Sequence, residues 1–317
     1  MRLALLLSAC LLVVAHGQEA LTKSLPPRLA KTVREVLDVP YADTSNPRQR
    51  LDLVLPTKPN SKALPAIVYI HGGAWRQGNK RGGRKLVTSF VESGKHVGVS
   101  VGYRLSQEAQ WPAQIHDCKA AIRWLRGNAE TYGIDPKKIA VWGTSAGGHL
   151  VAMLGVSAGV EGLEGSLGKY TKESSRVTCV ANYFGPSDLL HMDDFPSSIT
   201  HNAPDSPESQ LVGGPIQEHP KKSQNASPIT HVTKDDAPFL HVHGDQDKLV
   251  PFNQSQRLDH ALDKVGVPSL LITMKDKGHG RFQNPKLDTL LQRFFDLHLL
   301  DESFPLQEQT LAPASAP

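Results

Sequence analysis

The stretch Gly143-Thr144-Ser145-Ala146-Gly147 joins an apolar run, Lys138-Ile139-Ala140-Val141-Trp142, to a helical pattern, His149-Leu150-Val151-Ala152-Met153-Leu154. A chain that passes from buried strand to buried helix in so few residues must turn sharply. Such a turn forms only where the flanking residues are small, and it leaves the central side chain exposed at its tip. Gly143 and Gly147 supply the space, and Ser145 occupies the tip. An ordinary glycine-rich turn with a serine N-cap has the same letters. The two readings separate on what the rest of the chain sets beside the serine.

The remaining pattern repeats the strand-then-helix theme. Arg50-Leu51-Asp52-Leu53-Val54-Leu55 alternates and predicts an early strand, and Ala66-Ile67-Val68-Tyr69-Ile70 is a β-branched run suited to burial on both faces. Further strands are predicted over residues 96–101, 138–142, 177–184, 239–242 and 269–274, and helices over 113–129, 257–265 and 287–299. Buried strands alternating with helices predict an α/β protein with a mostly parallel central sheet covered on both faces. The 317 residues suit one large domain, and neither an internal repeat nor a dividing linker is present. The polar stretches 159–175 and 187–234 interrupt the alternation. The second is too long for bare loop, so short helices capping the carboxyl end of the sheet are expected there. This cap insertion is where substrate choice is expected to reside.

Composition narrows the function classes. The formal charge is +4 with no long Lys/Arg block, which argues against nucleic-acid binding. Residues 1–17 carry one positive charge, a short apolar core and a small-x-small site, Ala15-His16-Gly17, which predicts a signal peptide. The run is too short to span a bilayer. A secreted or periplasmic protein without a membrane span is expected. The lipoprotein alternative at Cys10 is disfavoured because apolar sequence continues past it. Residues 18–36 are expected to be a flexible lead-in with a short helix over 29–36, and residues 301–317 a disordered tail. Cys118 and Cys179 remain as either a disulfide, which export permits, or two buried thiols.

A serine hydroxyl is a poor nucleophile near neutral pH unless a base lies within hydrogen-bond reach and a third group orients that base. His279 follows the last predicted strand and stands between Gly278 and Gly280. Asp247 follows the preceding strand within His243-Gly244-Asp245-Gln246-Asp247 and is preferred to Asp245, which suits stabilising the turn. The order Ser145, Asp247, His279 is the order of the α/β-hydrolase triad. Such a base must be neutral, so activity is expected to rise with pH around the ordinary histidine value of about 6.5. His71-Gly72-Gly73-Ala74-Trp75 follows the strand ending at Ile70, where an oxyanion loop belongs. The amides of Gly73, Ala74 and Ala146 are the expected donors, and loss of one donor costs about 2.7–4 kcal/mol in the chemical step. His241 and His243 alternate as metal ligands can, but the triad accounts for this region, so no metal or cofactor is expected. His71 is expected to brace the oxyanion loop and His149 to be structural. Trp75, Tyr103 and Phe184 are candidate pocket residues.

These motifs, with Gly102-Tyr103-Arg104, Phe184-Gly185-Pro186-Ser187-Asp188 and Val250-Pro251, make the chain resemble secreted bacterial α/β-hydrolase esterases. It resembles the feruloyl- and acetyl-xylan-esterase-like group near the hormone-sensitive-lipase-like carboxylesterases. The resemblance covers roughly residues 37–300, which would form the catalytic domain. It implies hydrolysis of short acyl esters or of acetyl and feruloyl esters on polysaccharide, without a cofactor. Formamidase or peptidase chemistry on the same triad, and a non-catalytic binding module on the same fold, are the alternatives. Ala74 stands where many lipase-like relatives carry a third glycine, which implies a narrower loop that disfavours tertiary-alcohol esters.

Overall fold

The structure is a computed structural model that describes residues 32–58 and 61–312. Residues 1–17, expected to be a signal peptide, with Cys10 among them, and most of the expected lead-in lie outside the described residues, as do residues 313–317. Nine strands form one sheet in the order β1-β2-β4-β3-β5-β6-β7-β8-β9. They are β1 Val33–Pro40, β2 Arg50–Pro56, β3 Leu64–Ile70, β4 Val97–Val101, β5 Ile134–Thr144, β6 Cys179–Tyr183, β7 Phe239–Gly244, β8 Ser269–Met274 and β9 Gln309–Leu311. β2 runs antiparallel to β1 and β4, and every other neighbouring pair is parallel. This is the α/β-hydrolase arrangement.

Helices cover both faces, as parallel strands require. On one face α2 Ala113–Gly127, α4 Ala146–Val156 and α7 Asn253–Lys264 pack in one apolar cluster with Val68, Val99, Val141 and Val180. On the other face α1 Arg81–Glu92 and α8 Pro285–Leu299 pack over Ile67, Trp142 and Ala181. α8 buries Leu287, Leu291, Phe294, Phe295 and Leu299, a helical stripe. Each such side chain contributes roughly 1.5–3 kcal/mol by leaving water. A short α3, Ala129–Tyr132, follows α2.

Two expectations change. Residues 33–36 are strand rather than helix. β1 is an edge strand bulged between Val36 and Val39, with Asp38 at φ 56°, and the bulge disguises its period. The tail is not wholly disordered, because β9 pairs in parallel with β8 and buries Leu311. Of the two cysteine readings the second holds: Cys118 and Cys179 are free and buried. They belong to apolar clusters on opposite faces of the sheet, so no bridge can join them. Residues 187–234 do form short helices, among them α5 Pro207–Val212 and α6 Pro220–Asn225. The segment packs beside α4 and α7, and Trp111, in the loop before α2, donates through Nε1 to Asn225 Oδ1 at 2.7 Å; within the segment Ile229 N donates to Ser187 O at 3.1 Å. No described helix is long and apolar enough to cross a membrane.

Candidate active site

β5 delivers Ser145 at the carboxyl edge of the sheet, and α4 starts at the next residue. Ser145 has φ 55° and ψ −123°, a left-handed conformation that non-glycine residues rarely adopt. Its amide donates to Tyr183 O at 2.9 Å, which pins the turn to β6. The flanking glycines are needed for room: a Cβ at Gly143 would sit 2.2 Å from Gly147 O, and one at Gly147 would sit 2.1 Å from Ile70 O. The elbow therefore closes only with hydrogen at both positions.

The loops after β7 and β8 bring two partners to the serine. His279 Nε2 lies 3.0 Å from Ser145 Oγ, and His279 Nδ1 lies 2.7 Å from Asp247 Oδ2. Asp247 is 6 % exposed. Its Oδ1 accepts from the amides of Leu249 and Val250 at 2.8 and 2.9 Å. Burial pushes the Asp247 carboxyl up, but hydrogen bonds from His243 and His279 and their charge outweigh it and hold the group well below the usual carboxylate range. Asp247 is thus ionised near neutral pH. Asp245 acts elsewhere. Its Oδ1 accepts from Asp276 N at 2.7 Å, tying the two loops together.

The loop after β3 turns through three successive positive φ angles, at Gly73 (118°), Ala74 (54°) and Trp75 (54°). Gly73 O accepts from the amides of Arg76 and Gln77, both at 3.0 Å. Among the described residues no protein acceptor takes the amides of Gly73 and Ala74. Ala146 opens α4, and its amide has no intrahelical acceptor. Three donors are thereby free beside the serine.

The aromatic residues divide. Phe184 lines the cleft and meets His279 edge-on at 4.7 Å. Trp75 and Tyr103 do not line it; both are buried. Trp75 Nε1 donates to His149 Nδ1 at 3.2 Å, and His149 Nε2 donates to Ala226 O at 2.6 Å. Tyr103 stacks on His71 at 4.3 Å, and its hydroxyl donates to His71 O at 2.9 Å. Their aromatic area serves to hold the loop, because the chain reverses at Trp75 and carries the indole inward. Burial pulls His71 and His149 down to about 4, so both rings are neutral struts near neutral pH. His241 Nδ1 faces Asn182 Nδ2 at 3.2 Å. Among the described residues no cluster of His, Cys, Asp or Glu could hold a metal ion.

The cleft at Ser145 measures about 1340 Å³. Its walls come from β3, β5 and β6 (Tyr69, Trp142, Tyr183), from α1 and α8 (Phe90, Leu287, Leu291) and from Phe282 of the loop between β8 and α8. No residue of 187–234 lines it, so the cap does not form its walls. Sequence reasoning missed these residues. The signal was faint: Tyr69 and Trp142 sit one and two residues before the ends of β3 and β5.

The BD-FAE family profile matches residues 51–262. Esterase LipC of Mycobacterium tuberculosis is 32% identical over 245 residues, 76% of this chain and 58% of that protein. The chain spans about half the length of the curated relatives it matches. A truncated carbohydrate esterase from gut microbiota superposes with a TM-score of 0.78 at 35% identity, covering 85% of this chain and 98% of that one. A bifunctional GH43-CE protein of Bacteroides eggerthii gives a TM-score of 0.77 at 33% identity, over 83% of this chain and 38% of that one. With the elbow, the order of the loops and the shared fold in agreement, the chain belongs to the BD-FAE family.

Proposed function

We propose that this protein is a serine hydrolase of carboxylic esters. The observation that carries the reading is the unbroken hydrogen-bond chain from Ser145 Oγ through His279 to Asp247, opening onto a cleft beside unclaimed backbone amides. Ser145 Oγ attacks the ester carbonyl carbon while His279 Nε2 takes the hydroxyl proton. The carbonyl oxygen becomes an oxyanion, held by the amides of Gly73, Ala74 and Ala146. The C–O bond to the alcohol then breaks, and His279 returns the proton to the leaving oxygen. Water, deprotonated by His279, attacks the acyl carbon; the C–O bond to Ser145 then breaks, and His279 returns the proton to Ser145 Oγ as the acid leaves. Asp247 orients the ring and stabilises its charged form at each stage.

The substrates we propose are short acyl esters or acetyl and feruloyl esters carried on polysaccharide. The names of the solved carbohydrate-esterase relatives support the second class, and the aromatic and apolar part of the cleft wall, Tyr69, Trp142, Tyr183, Phe184 and Phe282, supports a planar or short apolar acyl group. The leader pattern of residues 1–17 supports export, where such polymers are met. Ser145→Ala is expected to fold normally and to lose p-nitrophenyl acetate hydrolysis by about 10⁶-fold or to background. Wild-type protein should also be labelled at Ser145 by a fluorophosphonate. Turnover surviving in clean Ser145→Ala protein, or absence of labelling, would reject the assignment. Rates on acetylated xylan, methyl ferulate and p-nitrophenyl acetate then rank the substrate classes.

A further inference from the structure

Asp247 Oδ2 is shared by two imidazoles. His279 Nδ1 donates to it at 2.7 Å, and His243 Nε2 lies 3.2 Å from the same oxygen. His243 is on β7 and fully buried. Its Nε2 also lies 2.9 Å from Val250 O, and its Nδ1 lies 2.8 Å from Ser255 Oγ on α7. A carbonyl oxygen can only accept, so Nε2 carries a proton and donates to both Val250 O and Asp247 Oδ2. One N–H therefore grips both ends of the turn from Asp247 to Val250. The ring is fixed in turn by Ser255 and by the edge-on rings of Phe252 at 5.6 Å and Phe184 at 6.3 Å. Phe184 also meets His279, so one phenyl ring sits against both histidines. Neither the metal-like spacing of His241 and His243 nor the triad itself accounts for this placement.

We infer that His243 is a positioning residue: it sets where Asp247 Oδ2 points and takes up part of its charge, and so sets the geometry and basicity of His279. The inference rests on the serine-hydrolase reading above. Without the His243 N–H, Oδ2 keeps more of its charge for His279 and is freer to swing. The first effect favours the charged form of His279 and moves the acid limb of the pH–rate profile to higher pH. The second lowers kcat, since a misplacement near 1 Å costs on the order of 100-fold. Lys248 lies within the Asp247–Val250 turn itself, and Asp276 and Lys277 precede His279 in its loop, with Lys277 O accepting from Gln246 N at 2.9 Å. Lys85 of α1, Arg281 of the His279 loop and Asp288 of α8 line the cleft, Asp245 ties the two loops together, and His241 stands on the same strand as His243.

The test compares His243→Leu, which has no donor, with His243→Gln, whose amide N–H reaches the place of Nε2–H. Both are measured on p-nitrophenyl acetate from pH 5 to 9, with Tm recorded. Expected in His243→Leu are a kcat lower by roughly 10–100-fold, a KM within about threefold of wild type, and an acid limb displaced upward, with His243→Gln returning toward wild type. A folded His243→Leu with wild-type kcat and an unmoved limb would overturn the inference. So would activity lost in both variants only in step with the folded fraction. Should His243→Leu not fold, Ser255→Ala, which frees the far side of the ring, must displace the limb in the same direction by less; an unmoved limb there also overturns it. Wild-type protein that neither hydrolyses the ester nor takes the fluorophosphonate would instead reject the underlying reading, whatever the His243 variants do.

Discussion

At Ser145 the backbone is held in a conformation that a Cβ resists. With φ 55° and ψ −123°, the residue carries a strain on the order of 1–3 kcal/mol that only the surrounding packing maintains. Ser145→Gly removes that strain while adding about 0.4–1 kcal/mol of unfolded-state freedom. The variant is expected to be inactive and yet more stable by about 1 kcal/mol, a rise of ~2–4 °C in Tm. Scanning calorimetry checks this, and a lower Tm would remove the strain account. That Ser145, Asp247 and His279 meet in one hydrogen-bond chain was legible because each follows a strand that can be recognised from its residues. The roles of Trp75 and Tyr103 were not. Residue type announces a large aromatic ring, but the left-handed backbone at Ala74 and Trp75 decides which side of the loop it occupies. Trp142 was hidden for the converse reason. It reads as strand core, and it becomes a cleft wall only because α1 and α8 leave space above it.

Among the elements, legibility follows burial. β3 is covered on both faces and reads as a continuous apolar run, so it was predicted close to its observed bounds; of β5 only the stretch 138–142 was, because Asp135, Pro136 and Lys137 are not buried and break the apolar run. β1 and β9 lie at the two sheet edges, where one bulge or a three-residue length erases the period. α1 was obscured by Gly82 and Gly83 in its first turn, residues with poor helix propensity. β9 nonetheless contributes to the fold. Leu311 is 5 % exposed against the cluster that holds α8, and Lys275 N donates to Leu311 O at 2.9 Å. Leu311→Ala is expected to lower unfolding free energy by about 2–3 kcal/mol with an unchanged denaturant slope. A change within ~0.5 kcal/mol in urea titration would mean that β9 is not docked in solution. The cap segment shows the limit of composition: its polarity marks it as surface, but only packing shows that it sits beside α4 and α7 rather than over the cleft.

For the whole molecule, stability should depend on pH through buried imidazoles. Burial pulls His71 and His149 down to about 4, and burial with the nearby His243 charge pulls His241 to about 3. The unfolded chain takes up protons at these positions near 6.5, before the folded chain does. Stability is therefore full above about pH 6.5 and falls as pH drops toward 4. Asp259 acts in the opposite sense. Burial first, then Glu308 and Asp263, push its carboxyl up to about 6, which disfavours the fold as pH rises from about 4 through 6. Three imidazoles against one carboxyl leave a net decline in Tm from pH 7 to pH 4, readable by thermal melts in matched buffers. A flat or rising Tm would show that these rings accept protons without loss of the fold. The strand order carries a consequence of another kind. From β5 onward each new strand joins a single growing edge, β5 beside β3 and then outward through β9. Ser145 follows β5, Asp247 follows β7 and His279 follows β8. On the proposed reading, a chain stopped after β6 would hold Ser145 and the loop after β3 with neither Asp247 nor His279. On that reading competence arrives only once the next-to-last strand, β8, has docked, so turnover gauges assembly through β8 rather than the presence of the serine.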